Sequence, residues 1–349
     1  MTAVADAIKK VATGPHLSKD LSREEAYAAT MEILSGEADP VRAAIFFIAM
    51  RMKRETNEEN LGILQALQAK TEQREAEVED LLIFADPFNG FNRHCPVTAF
   101  LPAVLAASGL PAVSQGVFEM GPKFGVTHAQ VLKLAGYNNI MPVPEAAKAV
   151  NNADIGWAYL DQSAASPLVY ALQALRTQMI KRPSIATLEK MVMPVKAKTR
   201  THLAIGFVHK EYPAILGWLA AAFGYHSAFI ARGLEGGIVP TLREASNNHR
   251  MLNAEMQECR LDPADFGIEQ DTRGVKVDDD DVTAERTLDE GMQALKGQRG
   301  PAYDSLVYGA AIALWHTGLQ PSQRQAADHV RDIINSGKAK AHFEAAIQS

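Results

Sequence analysis

Cysteine, aromatic residues and long hydrophobic runs are all scarce in this chain of 349 residues. Its two cysteines, Cys95 and Cys259, are too few for a disulfide framework and give no zinc-site spacing. No apolar run reaches the length of about 18 residues that a membrane-spanning helix needs. The first residues also lack the basic and then apolar order of a secretory signal. We therefore expect a cytoplasmic protein with no membrane partner.

The chain also has no excess of positive charge: its 41 acidic residues outnumber its 35 basic ones, and the net charge is −6. This balance argues against a nucleic-acid binder that is basic throughout. The segment 176–210 is an exception, since it opposes eight basic residues with only one carboxylate and carries +7 locally. A local positive surface attracts phosphate even on an acidic protein, because salt screens charge beyond about 8 Å. The alternative is an ordinary solvated helix face. The basic residues are Arg176, Lys181, Arg182, Lys190, Lys196, Lys198, Arg200 and Lys210.

The first 75 residues have the pattern of a small helical domain. Ser22 and Glu25 form a capping-box pattern before an apolar stripe that Gly36 closes. Asp39 followed by Pro40 predicts the start of a second helix, and the segment Thr56–Glu59 predicts a third. The large apolar face of these helices needs a partner, which is either the rest of the chain or a second subunit.

Residues 76–349 alternate between strand-like and helical patterns, which predicts an α/β domain with a mostly parallel sheet flanked by helices. Short apolar runs predict strands at 81–85, 203–208 and 228–231. Helices are predicted at 96–108, 128–134, 168–179 and 212–223. The run Asp278–Asp281 predicts an exposed acidic loop without the spacing of a calcium site.

Ordered segments along the chain resemble one family. They are the helical segment Leu21–Glu59 and the later segments Val131–Gly136, Ala231–Gly236, Leu295–Gly300 and Ala310–Leu314. Together they resemble the anthranilate phosphoribosyltransferases of glycosyltransferase family 3. The resemblance implies a small all-α domain, often the contact of a homodimer, and an α/β domain of phosphoribosyltransferase type. It also implies a cleft between the domains for phosphoribosyl pyrophosphate, magnesium and an aromatic acceptor.

The phosphate loop departs from the pattern of that family. Where the family has Gly-Thr-Gly-Gly-Asp-Gly, this chain has the segment Ala85–Gly90. Pro87 removes a backbone N–H, Phe88 obstructs close approach and Asp86 adds a negative charge, so a backbone cradle for pyrophosphate is weakened. Asn89 and Gly90 remain as candidate phosphate contacts, and the alternative is that they form only a turn.

The magnesium positions depart as well. The Asn-Ile-Ser-Thr segment of the family falls on Cys95–Thr98, of which only Thr98 is retained. The later Asp-Glu pair falls on Ile238 and Val239, which offer no oxygen ligand. Asp86 and Glu235 are the weak candidates for replacement ligands. We expect no certain cofactor, with Mg²⁺ required only if the protein is catalytic.

The resemblance also carries over a set of candidate ligand-binding residues. Arg176 falls on an acceptor-binding arginine of the family, although a solvated face or an ion pair would explain it equally well. Lys123 lies in a glycine-flanked loop that could reach an anion. His128, His202 and His209 fit helix or strand ends better than catalytic bases. The predicted ligand and phosphate contacts are Asn89, Gly90, Thr98, Gly116, Lys123, Arg176, Arg182, Lys196, Lys198 and Arg200.

Two functions compete on this evidence. The favoured one is a protein that binds a phosphate-bearing ligand in a basic cleft between its domains, either a small molecule or single-stranded nucleic acid. The segment Asp86–Arg93 looks like a divergent branch of the family for which nucleic-acid binding has been proposed. The alternative is an active glycosyl- or phosphoribosyltransferase that uses phosphoribosyl pyrophosphate and an unidentified acceptor. No catalytic residue is assigned.

Overall fold

The computed structural model describes residues 2–14, 16–276 and 282–349, so the acidic loop predicted at Asp278–Asp281 lies outside the described residues. Its helices, in chain order, are α1 (Ala3–Val11), α2 (Arg23–Leu34), α3 (Pro40–Lys53), α4 (Asn57–Ala69), α5 (Leu101–Ala107), α6 (His128–Leu134), α7 (Val143–Asn151), α8 (Gln162–Ala165), α9 (Pro167–Tyr170), α10 (Gln173–Met179), α11 (Ile185–Leu188), α12 (Tyr212–Phe223), α13 (Ala284–Leu295), α14 (Pro301–His316), α15 (Gln323–Asn335) and α16 (Lys338–Gln348). The strands are β1 (Arg74–Ala76), β2 (Asp80–Ala85), β3 (Ala112–Gly116), β4 (Trp157–Asp161), β5 (Val195–Ala197), β6 (Arg200–Gly206), β7 (Ser227–Ala231), β8 (Ser246–Leu252) and β9 (Glu255–Leu261). Short 3-10 turns occupy Val97–Phe100, Glu189–Met191, Leu234–Gly236 and Pro263–Phe266.

The chain divides into two compact units. The first is helical and comprises Met1–Gln73 together with Gln162–Pro194. The second is the α/β unit and comprises Arg74–Asp161 together with Val195–Ser349. The return of the chain to the helical unit at Gln162 was not predicted, and the division predicted at residue 75 stays a prediction.

In the helical unit, α2 packs on α4 and α1 packs on α3. The predicted starts of α2 and α4 are confirmed, because Ser22 and Thr56 cap backbone N–H groups and Glu25 and Glu59 complete both capping boxes. Gly62 allows α2 and α4 to approach closely, since a Cβ there would lie 2.3 Å from the carbonyl oxygen of Arg23. Local capping therefore fixes the helix starts, and a small residue fixes how near they pack.

In the α/β unit, strands β1 and β5 form a small parallel pair. The described residues place seven strands in the main sheet, in the order β4-β3-β2-β6-β7-β8-β9. The first five of these are parallel and the β7-β8-β9 part is antiparallel. Every residue of β3, β4 and β7 is buried, as expected for strands in a sheet that is covered on both faces. The predicted fold class is therefore confirmed.

The helices and strands predicted from the sequence agree in part with those of the structure. Helices α6 and α12 span the predicted ranges, and β2, β6 and β7 overlap the predicted strands. The helix predicted at 168–179 is wrong in its continuity, because α9 ends at Tyr170 and α10 begins at Gln173. Strands β3 and β4 were missed: polar Ser114 and Gln115 interrupt the apolar run in β3, and the apolar run of β4 was not recognised as a strand. Among the described residues, no helix combines the length and apolar character that crossing a bilayer requires.

Candidate functional site

The parallel strands of the α/β unit all end at one edge of the sheet, which we call the carboxyl edge. From β2 the chain continues outward to β3 and β4, and it then returns to place β6 and β7 on the other side of β2. The connections therefore change direction between β2 and β6. Open α/β sheets bind their ligands outside the carboxyl ends of strands at such a switch point. The loops that follow β2, β3, β6 and β7 are the candidate site.

Asp86 directly follows β2 and is the centre of a buried polar cluster. Its Oδ2 accepts a hydrogen bond from the hydroxyl of Thr98 and lies 2.9 Å from Nε2 of His128, while its Oδ1 accepts the N–H of Ile238 at 2.9 Å. Asp86 is 5% exposed. Burial by itself raises the pKa of this carboxyl, but the bonds from His128, Thr98 and Ile238 bring the pKa below its usual value. The carboxylate is thus ionised and fully engaged with protein donors.

Glu235 follows β7 and inserts a second carboxylate into the loop that follows β2. Its oxygens accept three consecutive backbone N–H groups, from Asn92 at 3.1 Å, Arg93 at 2.9 Å and His94 at 3.1 Å. The ammonium group of Lys123 also donates to Glu235. Burial by itself raises the pKa of Glu235, but the imidazole of His94, whose Nδ1 lies 3.4 Å from Oε1, lowers it together with Lys123 and the N–H of Asn92, to about 2. The anion that Lys123 reaches is therefore a carboxylate of the protein itself.

Asn89 and Gly90 form a turn in the same loop. The N–H of Gly90 donates to the carbonyl of Pro87 at 2.8 Å, and its φ of +75° is one that glycine adopts without strain. A Cβ at this position would lie 2.2 Å from the carbonyl oxygen of Gly125. Asn89 is buried, and its Nδ2 has no hydrogen-bond partner within the described part of the chain. The turn is real, and a role of these two residues in ligand binding stays a prediction.

The loop that follows β3 carries two exposed aromatic rings, and the ammonium group of Lys133 lies 4.9 Å from the centroid of the Phe118 ring. Phe118 is 40% exposed and Phe124 is 57% exposed. Gly116 ends β3 and has the hydroxyl of Tyr159 as its neighbour, since an added Cβ would lie 2.9 Å from that oxygen. Gly116 therefore serves packing in the structure, and its predicted ligand contact stays a prediction.

Exposed cations lie in the loops of the carboxyl edge. Arg93, Lys210 and Arg232 are exposed and lie in the loops that follow β2, β6 and β7, respectively. Lys210 was counted within the basic segment, but neither arginine was predicted as a ligand contact. The position of Arg232 directly after a predicted strand was the signal that could have found it.

The structure does not bring Lys196, Lys198 and Arg200 to this edge. Arg200 begins β6 and the two lysines precede it, so all three lie at the opposite, amino edge of the sheet. A strand of this length separates the two edges by about 20 Å. Each cation is paired with a carboxylate there: Lys196 with Glu75 at 3.1 Å, Lys198 with Glu77 at 3.3 Å and Arg200 with Asp80 at 2.6 Å. The local charge of +7 was counted along the sequence and could not include these partners.

Arg176 and Arg182 belong to the helical unit. The guanidinium of Arg176 forms two hydrogen bonds with the carboxylate of Glu189, at 2.7 and 2.8 Å. Both side chains are buried, at 9% and 1% exposure. The ion pair that the sequence left open for Arg176 is thus present. Arg182 is exposed, and its carbonyl accepts a hydrogen bond from Arg51.

The candidate metal ligands Asp86 and Glu235 have their oxygens occupied by the donors described above. Ile238 and Val239 are buried at 5% and 8% exposure, and neither offers an oxygen side chain. Within the described ranges, no cluster of three or more His, Cys, Asp or Glu side chains is arranged to hold a metal ion. The residues at this edge therefore do not fit a site for Mg²⁺ held by protein carboxylates.

Comparison with known proteins gives the family. Residues 5–71 match the helical bundle domain of a glycosyl transferase family, and residues 90–340 match the a/b domain of the same family. The chain belongs to this family. An anthranilate phosphoribosyltransferase of Methanobrevibacter smithii is 27% identical over 354 residues, which cover 99% of this chain and 98% of that protein. An uncharacterized protein of Aquifex aeolicus is 26% identical over 302 residues, covering 86% and 89% of the two chains.

Solved members of the family share the fold. The anthranilate phosphoribosyltransferase of Thermus thermophilus has a TM-score of 0.80 at 19% identity, over 100% of this chain and 99% of that one. The Saccharomyces cerevisiae enzyme, in complex with PRPP and Mg, has a TM-score of 0.81 at 16% identity, over 99% and 97%. The chain is thus an anthranilate phosphoribosyltransferase-like member of the glycosyl transferase family, as the resemblance predicted.

Proposed function

We propose that the α/β unit binds a ligand that carries both phosphate and a flat aromatic group at the carboxyl edge of its sheet. The observation that carries this proposal is the loop after β3, where Phe118 and Phe124 are exposed and the ammonium group of Lys133 lies 4.9 Å from the centroid of the Phe118 ring. Exposed aromatic rings beside cations suit nucleic-acid bases, because every base presents a face for stacking and every nucleotide a phosphate. Arg93, Lys210 and Arg232 add positive charge along the same edge.

Single-stranded nucleic acid is the ligand that this combination favours over a small phosphate ester. The two rings and the exposed cations lie on loops after four different strands, so a chain of nucleotides can use several of them together. Such binding is strongly salt-dependent, because each phosphate contact releases condensed counterions. The predicted position of the ligand in a cleft between the domains stays a prediction.

Fluorescence anisotropy of a labelled single-stranded oligonucleotide tests the proposal at low and at physiological salt. The variant F118A/F124A is expected to lose at least about thirtyfold in affinity, because stacking contributes about 1–3 kcal/mol per base and two rings are removed. The matched variant K196E/K198E/R200E changes three cations at the amino edge and is expected to bind almost as the parent does. Loss of binding only in the second variant would place the ligand at the other edge. No binding at either salt would refute the nucleic-acid proposal.

The second candidate is an active phosphoribosyltransferase. Family membership across most of the chain favours it, and the relative in M. smithii carries the name of such an enzyme. The internal bonds of Asp86 and Glu235 speak against it, since both candidate metal ligands are already held by donors of the protein. Release of pyrophosphate from phosphoribosyl pyrophosphate with Mg²⁺ and anthranilate is the test. Turnover that D86N and E235Q both abolish would establish the enzyme.

We further propose that the protein is a homodimer that associates through the helical unit. Val41, Ile45 and Met52 on α3 are exposed at 65%, 44% and 77%, and their spacing places them on one helix face. An apolar stripe of this kind is typical of a protein contact. Light scattering coupled to size exclusion is expected to give a dimer for the parent and a monomer for V41E/M52E. A monomeric parent would refute the dimer.

A further inference from the structure

Two loops of the carboxyl edge are joined in both directions, because each has a carboxylate that accepts backbone N–H groups of the other. Asp86, at the start of the loop after β2, accepts the N–H of Ile238 in the loop after β7. In return, Glu235 from the loop after β7 accepts three consecutive N–H groups of the loop after β2. Both carboxylates are buried, at 5% exposure for Asp86 and 4% for Glu235, but Asn92 and Arg93, which supply two of the donors to Glu235, are exposed.

Consecutive backbone N–H groups that converge on one point form an anion-binding nest. The nest here consists of the N–H groups of Asn92, Arg93 and His94, and Lys123 adds a full positive charge to it. These are the donors that bind phosphoryl groups in many proteins, since each N–H points at the anion and the lysine neutralises it. In this protein the occupant of the nest is a carboxylate of the same chain.

Glu235 adopts a left-handed backbone conformation to occupy the nest, with φ +53° and ψ +16°. Non-glycine residues rarely adopt this conformation, because the Cβ is crowded by the neighbouring carbonyl. Glycines at 233, 236 and 237 flank the residue and give its loop conformational freedom. The far end of the loop is held separately, by the bond from Ile238 to Asp86. The bonds of Glu235 in the nest are therefore separate from the bond that holds the far end of the loop.

We propose that the nest at 92–94 and Lys123 form a phosphoryl-binding site, and that Glu235 is a built-in competitor that a phosphoryl group must displace. The inference rests on the proposed function and assigns one phosphate contact of that ligand. It also explains what occupies the contact when no ligand is bound, which is the carboxylate of Glu235. A charged ligand that displaces Glu235 gains the donors that the carboxylate had. The affinity for phosphate is lowered by the competition, so weak anions are rejected.

The decisive variant is E235G, because glycine adopts φ +53° freely and removes the carboxylate without adding strain. The probe is inorganic phosphate, measured by calorimetry and by the shift of the melting temperature at constant ionic strength with KCl. E235G is expected to bind phosphate about tenfold more tightly than the parent, because the nest no longer holds an internal anion. The double variant K123A/E235G is expected to lose this gain.

Two further variants separate the proposal from a purely structural role of Glu235. E211A removes an exposed carboxylate from the loop after β6 and is expected to bind phosphate as the parent does. E235Q keeps the shape of the side chain and is expected to show a smaller gain than E235G. The proposal is overturned if phosphate binds E235G and E235Q no more tightly than the parent and raises their melting temperatures no further. Glu235 would then only hold the loop in place. This outcome is independent of oligonucleotide binding by the parent protein, so the two proposals can fail separately.

Discussion

The two edges of the parallel sheet hold their charged groups in different ways. At the amino edge, Lys196 and Lys198 pair with Glu75 and Glu77 across solvent, and all four side chains are about half exposed or more. At the carboxyl edge, the carboxylates of Asp86 and Glu235 are at most 5% exposed and are held largely by backbone N–H groups and neutral donors.

The comparison shows that the number of charges near a site does not indicate how much those charges contribute to the stability of the fold. Exposed ion pairs contribute about 0–1 kcal/mol, because water screens them and two long side chains lose freedom. Buried carboxylates cost much more to disturb, because their donors are left without an acceptor in a place that water does not reach. The carboxyl edge is thus the sensitive one.

The largest expected effect is that of D86A. It removes the shared acceptor of Thr98, His128 and the Ile238 N–H, and we expect a loss of about 4 kcal/mol in the free energy of unfolding. Urea denaturation measures it. E77A removes an exposed carboxylate at the amino edge and is expected to cost less than about 1 kcal/mol. A loss below about 1 kcal/mol for D86A would remove the contrast between the edges.

The next largest effect is that of G90A, which adds a Cβ 2.2 Å from the carbonyl oxygen of Gly125 at a φ of +75°. We expect a loss of about 3 kcal/mol, in which left-handed strain and steric overlap both contribute. G109A is the matched control, because Gly109 also has a positive φ, of +94°, but has no neighbour within 4 Å of an added Cβ. It is expected to lose only about 1 kcal/mol. Equal losses would show that the packing at Gly90 is unimportant.

The third prediction concerns pH. The carboxyl of Glu235 has its pKa lowered from 4.5 to about 2 in the folded protein, so its stabilisation is present above pH 4.5 and is lost as the pH falls toward 2. E235Q is therefore expected to be less stable than the parent at pH 7 and to approach it as the pH drops through that window. Melting temperatures between pH 7 and about pH 2.5 measure this. A difference that stays constant with pH would contradict the engagement of Glu235 with its donors.

The smallest effect is expected for K196A. Its pair with Glu75 is exposed, so the loss is less than about 1 kcal/mol and becomes smaller in high salt. Urea denaturation at two salt concentrations measures both points. A large loss that is insensitive to salt would show that the amino edge is as sensitive as the carboxyl edge.

Much of the fold could be predicted from the sequence because its signals are local. The capping boxes at Ser22 and Thr56 depend on residues three apart, and the periodicity of α12 depends on its own length. The family could be recognised from ordered segments in the same way. Strand β3 could not, because its polar Ser114 and Gln115 are buried only through pairing with β2 and β4.

The candidate site was predicted less completely. Lys123 and Thr98 were named from the sequence, and the structure gives both an anionic partner. Of those partners, Glu235 was considered as a metal ligand and Asp86 as a metal ligand and as a charge that weakens the phosphate loop, and His128 was considered a helix-end residue. Its contact with Asp86 spans 42 positions of the chain, and no local pattern reports such a pairing.

The sequence by itself determined the helical start, the alternation of strands and helices, and the family, because each rests on short-range patterns or on their order. Only the tertiary structure decided which charges meet. It paired the basic segment with carboxylates in and between β1 and β2 at one edge and placed the carboxylate of Glu235 in a backbone nest at the other. The physical reason is that strand order and direction bring together residues that lie far apart along the chain, and electrostatic energy depends on distance and burial in space.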